Sequence, residues 1–219
     1  GLVFCSLIIK VLPARFLYSF ARGAAFLGYY IARKQRRIAL ESLGIAFHKK
    51  KTPEEIRRIA KDCFVFLARS SLELMFLMEE PHLIRQKVSF EGKEHLDACL
   101  GKCKGIVLLT AHFGNFPLMM AKLSLEGYRL SGIMRRMRDE RVERLFLKRR
   151  NRLGIRTIYS QPRKTCVEES LRVLRRNELL CIQLDQNFGT AGLFVDFFGN
   201  KAATATGPVV LALRTQAAI

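Results

Sequence analysis

Hydrophobic and polar positions divide the chain into an N-terminal part with helical periodicity and a C-terminal part in which strands and helices alternate. Four short runs predict strands, over residues 105–110, 129–134, 155–159 and 179–184, and the first and the last are continuous apolar runs typical of strands covered on both faces. Helical patterns separate these runs over residues 115–125, 139–153 and 165–176. The alternation predicts an α/β fold with a mostly parallel sheet flanked by helices.

Local signals also predict where helices begin. Thr52 occupies an N-cap position, with Pro53 at the first helical position and Glu55 completing a capping box. Apolar residues near 3.6 spacing continue this helix to about Glu79. A last helix begins at residues 207–208, and residues 216–219 are typical of the approach to a further strand. We therefore expect the domain to continue past the last residue.

The N-terminal segment is apolar but is interrupted by cations. Residues 2–32 contain Lys10, Arg15 and Arg22, with Pro13 between them. The uninterrupted apolar runs are much shorter than the roughly 20 residues of a membrane-spanning helix. The pattern predicts an amphipathic helix at a membrane interface, and a buried helix pair is the alternative. We predict a membrane-anchoring segment at 1–32 and one globular domain at 33–219.

Composition and charge narrow the class of protein. The hydrophobic content of 49% excludes a disordered chain. Lys and Arg number 38 against 19 Asp and Glu, a net charge of +19 that requires anionic partners. Nucleic acid is disfavoured because the chain has 16 Phe, an apolar N-terminus and no nucleic-acid-binding motif. The Arg-rich stretch 129–156 contains few acids, which predicts a surface for phosphate or an acidic carrier rather than an ordinary solvated face.

The cysteines carry no recognisable chemistry. All six are scattered and form no C-x-x-C motif, which indicates reduced thiols. A metal site formed by His95, Cys99 and Cys103 is the alternative. We predict that the protein binds no metal.

Candidate catalytic residues follow two of the predicted strands. His112 lies just after the run 105–110, at the rim where α/β sheets bind ligands, and a neutral imidazole there can act as a general base toward a hydroxyl. Gly114 permits close backbone approach and Asn115 can cap the next helix. Asp185 follows the run 179–184 and can orient a His or a hydroxyl. The alternatives are a His and an Asp that only stabilise turns.

A third segment of interest reads FFGNKAATATGP, at residues 197–208. Its aromatic pair and small residues fit a loop that faces lipid or phosphate. A hydrophobic loop packed on the core is the alternative.

Four motifs occur in an order that resembles one family. They are His-Phe-Gly-Asn at 112–115, the Arg-rich strand and helix, Leu-Asp-Gln-Asn at 184–187 and the segment at 197–208. It is similar to the bacterial lipid A biosynthesis acyltransferases of the lauroyl/myristoyl type, in the lysophospholipid acyltransferase-like superfamily. The resemblance runs almost end to end. It implies that 33–219 is an acyltransferase domain and that family members usually continue past the last residue of this chain.

The resemblance implies an enzyme that transfers a fatty acyl chain from an acyl carrier protein thioester to a hydroxyl of a lipid A precursor. It implies an acidic carrier protein, an anionic phosphorylated glycolipid and a membrane surface as partners, at the cytoplasmic face of a bacterial inner membrane. Neither a metal nor another cofactor is implied, because the thioester is already activated. Nucleic acid is not an expected partner.

The resemblance also implies roles for individual residues. His112 matches the catalytic general base, Asp185 the acid of the downstream Asp-Gln pair, and Arg150 the functional Arg. The residues that we expect to bind substrate are Gly114, Asn115, Arg135, Arg136, Gln186 and Gly199.

One position departs from the family pattern. The family has Glu or Asp five residues after the catalytic His, and this chain has Pro117 there. Loss of an orienting carboxylate can reduce the rate by several orders of magnitude. We hypothesise that Asp185 compensates from the neighbouring strand end. The remaining alternatives are a different glycolipid or glycerophospholipid acceptor, or a catalytically impaired lipid-binding protein on the same fold.

Overall fold

The computed structural model describes residues 14–47, 50–189 and 192–219. These residues form two units. The first contains the described residues up to Phe76 together with Asp196–Lys201, and the second contains Leu77–Val195 and Ala202–Ile219.

The first unit is built mainly from helices: α1 (Ala14–Ile31), α2 (Arg33–Phe47) and most of α3 (Pro53–Leu77). The predicted capping box is confirmed at the start of α3. The Thr52 backbone N–H donates to Glu55 Oε2 at 2.8 Å, and the Glu55 N–H donates to Thr52 Oγ1 at 3.2 Å. The two bonds satisfy donors that a helix N-terminus otherwise leaves without partners. The helix ends slightly before the predicted residue, at Leu77.

Helix α1 is amphipathic. Ala21, Ala25 and Tyr29 are buried at a spacing of four residues, and the Tyr29 ring packs edge-to-face on Phe64 of α3, with the ring centroids 5.3 Å apart. Large apolar side chains stay exposed elsewhere on the helix, namely Phe16, Phe20, Phe26, Leu27, Tyr30 and Ile31. The expectation of N-terminal helices is therefore confirmed. Residues 1–13, with the predicted interruptions at Lys10 and Pro13, lie outside the described residues.

In the described part of the chain, no helix combines the length and the apolar character needed to span a bilayer.

The second unit contains the predicted parallel sheet. Its strands are β1 (Ile106–Thr110), β2 (Leu130–Met134), β3 (Ile155–Tyr159) and β4 (Leu179–Gln183). Their order is β1-β4-β2-β3, and every pair is parallel. The flanking helices are α4 (Pro81–Lys87), α5 (Lys93–Leu100), α6 (Phe116–Leu125), α7 (Glu140–Arg152), α8 (Arg163–Arg175) and α9 (Gly207–Thr215). The α/β prediction is confirmed.

The two faces of the sheet are covered differently. On one face a buried core joins the strands to α8 and α9, through Val107, Ile158, Val173, Leu174, Leu180, Leu211 and Ala212. On the other face Gly132 lets α6 approach closely, because a Cβ at this position would lie 2.6 Å from Met120 Cε. Cover on both faces explains why β1 and β4 are nearly continuous apolar runs rather than alternating ones.

The last residues run beside the sheet edge. Ala218 forms a parallel bridge with Ile106, its carbonyl accepts from Val107 N at 2.9 Å, and its N–H donates to Gly105 O at 3.2 Å. Residues 216–219 therefore approach β1 as a strand would.

A two-stranded hairpin replaces the loop predicted near residue 197. Strands β5 (Leu193–Phe197) and β6 (Asn200–Thr204) pair through a turn at Phe198 and Gly199. Both turn residues have positive φ, 51° and 72°, which is the conformation that two-residue hairpin turns require. Phe197 and Phe198 are more than half exposed. A loop packed on the core is therefore the wrong alternative for these two side chains.

Candidate active site

The carboxyl edge of the parallel sheet gathers the polar residues that follow the strands. His112 comes after β1, Arg135 and Arg136 after β2, and Asp185 after β4. Parallel strands all end at the same edge, which is where open α/β sheets bind ligands. Residues that are far apart in sequence therefore lie along one rim.

His112 and Asp185 are in direct contact because β1 and β4 are neighbours. The paired register runs to Thr110 and Gln183, and Leu184 N donates to Thr110 O at 3.0 Å. His112 Nδ1 lies 2.9 Å from Asp185 Oδ1, and the His112 backbone N–H donates to Asp185 Oδ2, also at 2.9 Å. One carboxylate thus holds both the ring and the main chain of His112.

The ionisation of Asp185 defines the tautomer of His112. Burial raises the pKa of Asp185, but the hydrogen bonds from the His112 side chain and backbone outweigh it, so the pKa lies below its ordinary value. A carboxylate only accepts hydrogen bonds. The proton is therefore assigned to Nδ1, and Nε2 keeps the lone pair that a general base needs. Both side chains are partly open to solvent, 40% for His112 and 31% for Asp185.

The local sequence around His112 forms a tight strand-to-helix connection. Gly114 has φ of +62°, and apart from its two chain neighbours no described residue has an atom within 4 Å of a Cβ built there. Glycine is therefore required by backbone conformation and not, as expected, by close approach. Asn115 occupies the N-cap position of α6, but its side chain makes no capping hydrogen bond. The Phe116 ring packs edge-on against the His112 ring, with centroids 5.1 Å apart.

Pro117 lies in the first turn of α6. A proline is well suited there because its fixed φ matches the helix and the N–H it lacks would have no partner within the helix. The position that carries a carboxylate in the family pattern thus serves helix initiation in this chain. The carboxylate that contacts His112 is Asp185 instead.

Arg150 is buried on α7 with a carboxylate partner. Its Nη2 donates to Glu143 Oε1 at 2.8 Å, and Nη1 contacts the Met134 sulfur. Glu143 is only 3% exposed. The buried Arg150 Nε has no hydrogen-bond acceptor among the described residues. Arg150 therefore bonds to Glu143 rather than to the His112–Asp185 pair.

Two cations of the Arg-rich stretch are buried on α7. Arg149 and Arg150 are 4% and 8% exposed rather than solvated. Arg149 Nε donates to Glu79 Oε1 at 2.7 Å, and Arg152 Nη1 donates to Glu79 Oε2 at 3.2 Å. A buried guanidinium is tolerated only with a close carboxylate. Glu79 lies 70 residues from Arg149, so the helical pattern of α7 alone could not reveal this partner.

The other predicted substrate-binding residues are distributed as follows. Arg135 and Arg136 are exposed after β2, and Arg136 Cζ lies 5.4 Å from the centroid of the Tyr159 ring. Gln186 is exposed next to Asp185. Gly199 lies in the hairpin turn and belongs to the first unit, whereas the other five residues belong to the second.

The cysteines of the described part have free thiols: Cys63, Cys99, Cys103, Cys166 and Cys181. Burial raises the pKa of Cys181 to about 12, so this thiol stays protonated. The described residues contain no cluster of three or more His, Cys, Asp or Glu suited to holding a metal ion.

Two residues of this edge were not identified from the sequence. Glu143 and Tyr159 hydrogen-bond each other at 3.0 Å, and Glu143 also pairs with Arg150. A usable signal existed for Glu143, which precedes Arg150 by about two helical turns and so lies on the same face of α7. No comparable local signal exists for Tyr159.

Fold and site together define a class: a parallel α/β protein with a His–carboxylate pair at the carboxyl edge, suited to taking a proton from a hydroxyl. The sequence model of the bacterial lipid A biosynthesis acyltransferases matches residues 2–219, so the chain belongs to that family.

Individual relatives are acyltransferases with two different names. Over 129 residues the chain is 30% identical to a phosphatidylinositol mannoside acyltransferase of Mycobacterium tuberculosis. This match covers 58% of the chain and 41% of the relative. A lipid A biosynthesis acyltransferase of Haemophilus influenzae is 24% identical over 191 residues, or 86% of this chain and 58% of the relative. The chain thus spans about half the length of these curated relatives.

Proposed function

We propose that the protein is a membrane-associated O-acyltransferase. It moves a fatty acyl chain from an acyl carrier protein thioester to a hydroxyl of a lipid A precursor, with His112 as the general base. The observation that carries the proposal is the two-point contact between His112 and Asp185 at the carboxyl edge. Membership of the lipid A biosynthesis acyltransferase family supports the reaction class.

The proposed chemistry needs one base and one activated acyl donor. His112 Nε2 takes the proton of the acceptor hydroxyl while its oxygen attacks the thioester carbonyl. The carbon–sulfur bond then breaks, and the imidazolium returns the proton to the departing thiolate. The products are an ester and a free thiol. Asp185 holds the ring in the required tautomer and stabilises the imidazolium, as the carboxylate of a hydrolase triad does.

In this proposal Asp185 takes the orienting role that Pro117 cannot fill. A proline side chain neither accepts a hydrogen bond nor carries charge. Asp185 does both, and its lowered pKa keeps it ionised at neutral pH. The same contact argues against a protein that only binds lipid, because a bidentate clamp on a His is not needed for binding.

We also propose that the protein acts at the cytoplasmic face of a bacterial inner membrane. The exposed aromatic side chains of α1 and the cations at the start of α2 support this location. Apolar rings next to cations are typical of helices that lie in an anionic lipid interface.

A second acceptor class is favoured by one observation. A relative named phosphatidylinositol mannoside acyltransferase is 30% identical over 129 residues, whereas the lipid A enzyme is 24% identical over a longer match of 191 residues. The acceptor would then be a glycolipid built on a glycerophospholipid. Parallel assays with both acceptors and the same donor distinguish the two.

The proposal is tested with the full chain in detergent, with lauroyl- and myristoyl-carrier protein as donors and a lipid A precursor as acceptor. We expect His112→Ala to abolish product and Asp185→Asn to reduce kcat by about 10²–10⁴-fold, since the tautomer is no longer fixed. His95→Ala is the matched control, because this imidazole is exposed and bonded to neither His112 nor Asp185; it should keep wild-type turnover.

Three outcomes would contradict parts of the proposal. Absence of any His112-dependent product with either acceptor ends the catalytic interpretation. Unchanged turnover in Asp185→Asn ends the role of Asp185. A large gain from Pro117→Glu would mean that the natural chain is an impaired catalyst.

A further inference from the structure

The hairpin β5–β6 has exposed apolar side chains on both faces. Neighbouring residues of a strand point to opposite faces, so Phe194 lies on one face of β5, and Leu193, Val195 and Phe197 lie on the other. These four side chains are between 38% and 62% exposed. An antiparallel ribbon that packs on protein with one face normally keeps the other face polar. A lipid phase covers both faces at once, because it surrounds whatever enters it.

The tip of the hairpin holds an aromatic residue in an unfavourable backbone conformation. Phe198 and Gly199 both have positive φ, and the preferred pair for such a turn is Asn-Gly. The Phe198 ring packs edge-to-face on Phe197, with the ring centroids 4.8 Å apart, and the Phe198 carbonyl accepts from Asn200 Nδ2 at 3.1 Å. Asn at position 198 would suit the turn better, so the ring serves a purpose other than forming the turn.

The hairpin carries no net charge. Over residues 193–204, all of which the structure describes, the charged residues are Asp196 and Lys201, and they form an ion pair at 3.0 Å. The sequence left lipid and phosphate as alternatives for this segment. A neutral hairpin whose cation already has a carboxylate partner is poorly suited to phosphate and well suited to lipid. The exposed ion pair next to the rings fits the hydrated level of a lipid interface.

The tip belongs to the same unit as α1. Asp196–Lys201 groups with the described residues up to Phe76, and α1 exposes large apolar side chains of its own, among them Phe16, Phe20 and Phe26. Because one unit carries both apolar surfaces, a bilayer that engages α1 is available to the tip as well. This continuity favours lipid over a second copy of the chain as the occupant.

We propose that Phe197 and Phe198 insert into the boundary between headgroups and acyl chains of the bilayer, as a membrane attachment point in addition to α1. The inference rests on the proposed function only in the membrane location and not in the acyl-transfer chemistry. The hairpin tip then anchors the protein through apolar contact, whereas the cations of α2 act through charge.

The test replaces both rings, through Phe197→Thr with Phe198→Asn, and measures co-sedimentation of the full chain with phosphatidylglycerol vesicles. Threonine keeps the strand propensity of position 197, and Asn before Gly199 forms the preferred turn pair. We therefore expect urea unfolding to show a midpoint at or above that of wild type. Vesicle binding should weaken by about tenfold or more, because two apolar rings no longer leave water.

Two further pairs are controls. Phe197→Leu with Phe198→Leu keeps apolar surface at the tip and should stay within about threefold of wild-type binding. Val210→Gln with Leu213→Gln removes exposed apolar side chains from α9 instead and should bind vesicles as wild type does.

Salt separates the rings from the cations of α2. The deficit of the Phe197→Thr and Phe198→Asn pair should persist when salt is raised from about 0.1 M to about 1 M, because screening acts on charges and not on apolar burial. A deficit that disappears at high salt overturns the proposal.

The remaining outcomes distinguish this inference from the proposed function. Wild-type binding by the Phe197→Thr and Phe198→Asn pair, or equal weakening by the α9 pair, overturns insertion of the tip and leaves the membrane location supported by α1. If the tip variant abolishes self-association measured without lipid, a second copy covers the tip and the proposal is overturned. If the wild-type chain does not bind vesicles, both this inference and the membrane location fail. The acyl-transfer assay in detergent is independent of all these results.

Discussion

Asp185 contacts His112 twice, and this contact could be anticipated only in part. A His and an Asp at strand ends are visible in the sequence, and parallel strands bring such residues to one edge. The atoms that meet depend on β1 and β4 being neighbours. Strand adjacency is a long-range property that no local pattern encodes. The Glu143 network was missed for a related reason, since its donors come from three elements.

The lowered pKa of Asp185 predicts how its contribution to stability depends on pH. The folded-state pKa lies below the ordinary value of 3.8. The ionised Asp185 therefore stabilises the fold fully above that value, and the contribution is lost as pH falls through the lower folded-state pKa. Urea unfolding should show Asp185→Asn less stable than wild type at about pH 7, with the difference shrinking toward about pH 3.

Asp62→Asn serves as the control for this comparison, because Asp62 is exposed on α3. Its stability difference from wild type should be small at both pH values. A difference for Asp185→Asn that is independent of pH would show that the side chain acts through packing instead of charge.

Elements with local start and stop signals could be predicted, and elements without them could not. The capping box before α3 and the apolar runs of β1 and β4 are encoded within a few residues. The hairpin β5–β6 has no alternation of apolar and polar positions, and its turn puts a phenylalanine at positive φ. Phenylalanine rarely adopts that conformation, so the turn at Phe198 carried no readable signal.

Thr52→Ala tests the energetic contribution of the capping box to α3. The change removes the acceptor for the Glu55 N–H while leaving the helix sequence intact. We expect a loss of about 1 kcal/mol in the free energy of unfolding. Thr52→Ser retains the hydroxyl and should stay near wild type. Equal losses in both variants, measured by urea unfolding, would show that the methyl group and not the cap is responsible.

At the scale of the whole molecule, less of the net charge of +19 is available to anionic partners than the sequence suggests. Within the Arg-rich stretch, Arg149 and Arg152 share Glu79, Arg150 bonds to Glu143, and Arg156 lies 3.8 Å from Glu169. Glu79 and Glu169 lie outside residues 129–156, so the stretch has less unpaired positive charge than its own sequence indicates. The cations left for anionic partners include Arg135 and Arg136 at the site, and Arg33 and Lys34 on α2.

Vesicle binding tests whether the N-terminal cations contact a membrane. Arg33→Ala with Lys34→Ala should weaken binding to phosphatidylglycerol vesicles by about 1 kcal/mol per charge, roughly fivefold each. Raising salt from about 0.1 M to about 1 M should remove most of the difference, because the Debye length falls from about 10 Å to about 3 Å.

The matched control removes the same charge elsewhere, through Arg175→Ala with Arg176→Ala on and just after α8, where both side chains are exposed. Co-sedimentation should show nearly wild-type binding for this pair. Equal weakening by both pairs would mean that only total charge matters.

Phe113 is a suitable position for a fluorescent probe. Its side chain is 87% exposed, immediately beside His112, and the chain contains no tryptophan. A Phe113→Trp substitution would therefore place a single indole fluorophore at the rim of the site, against a background of tyrosine emission alone. Its emission wavelength would shift when an acyl chain displaces water from the ring, so occupancy of the rim could be followed in real time without a labelled substrate.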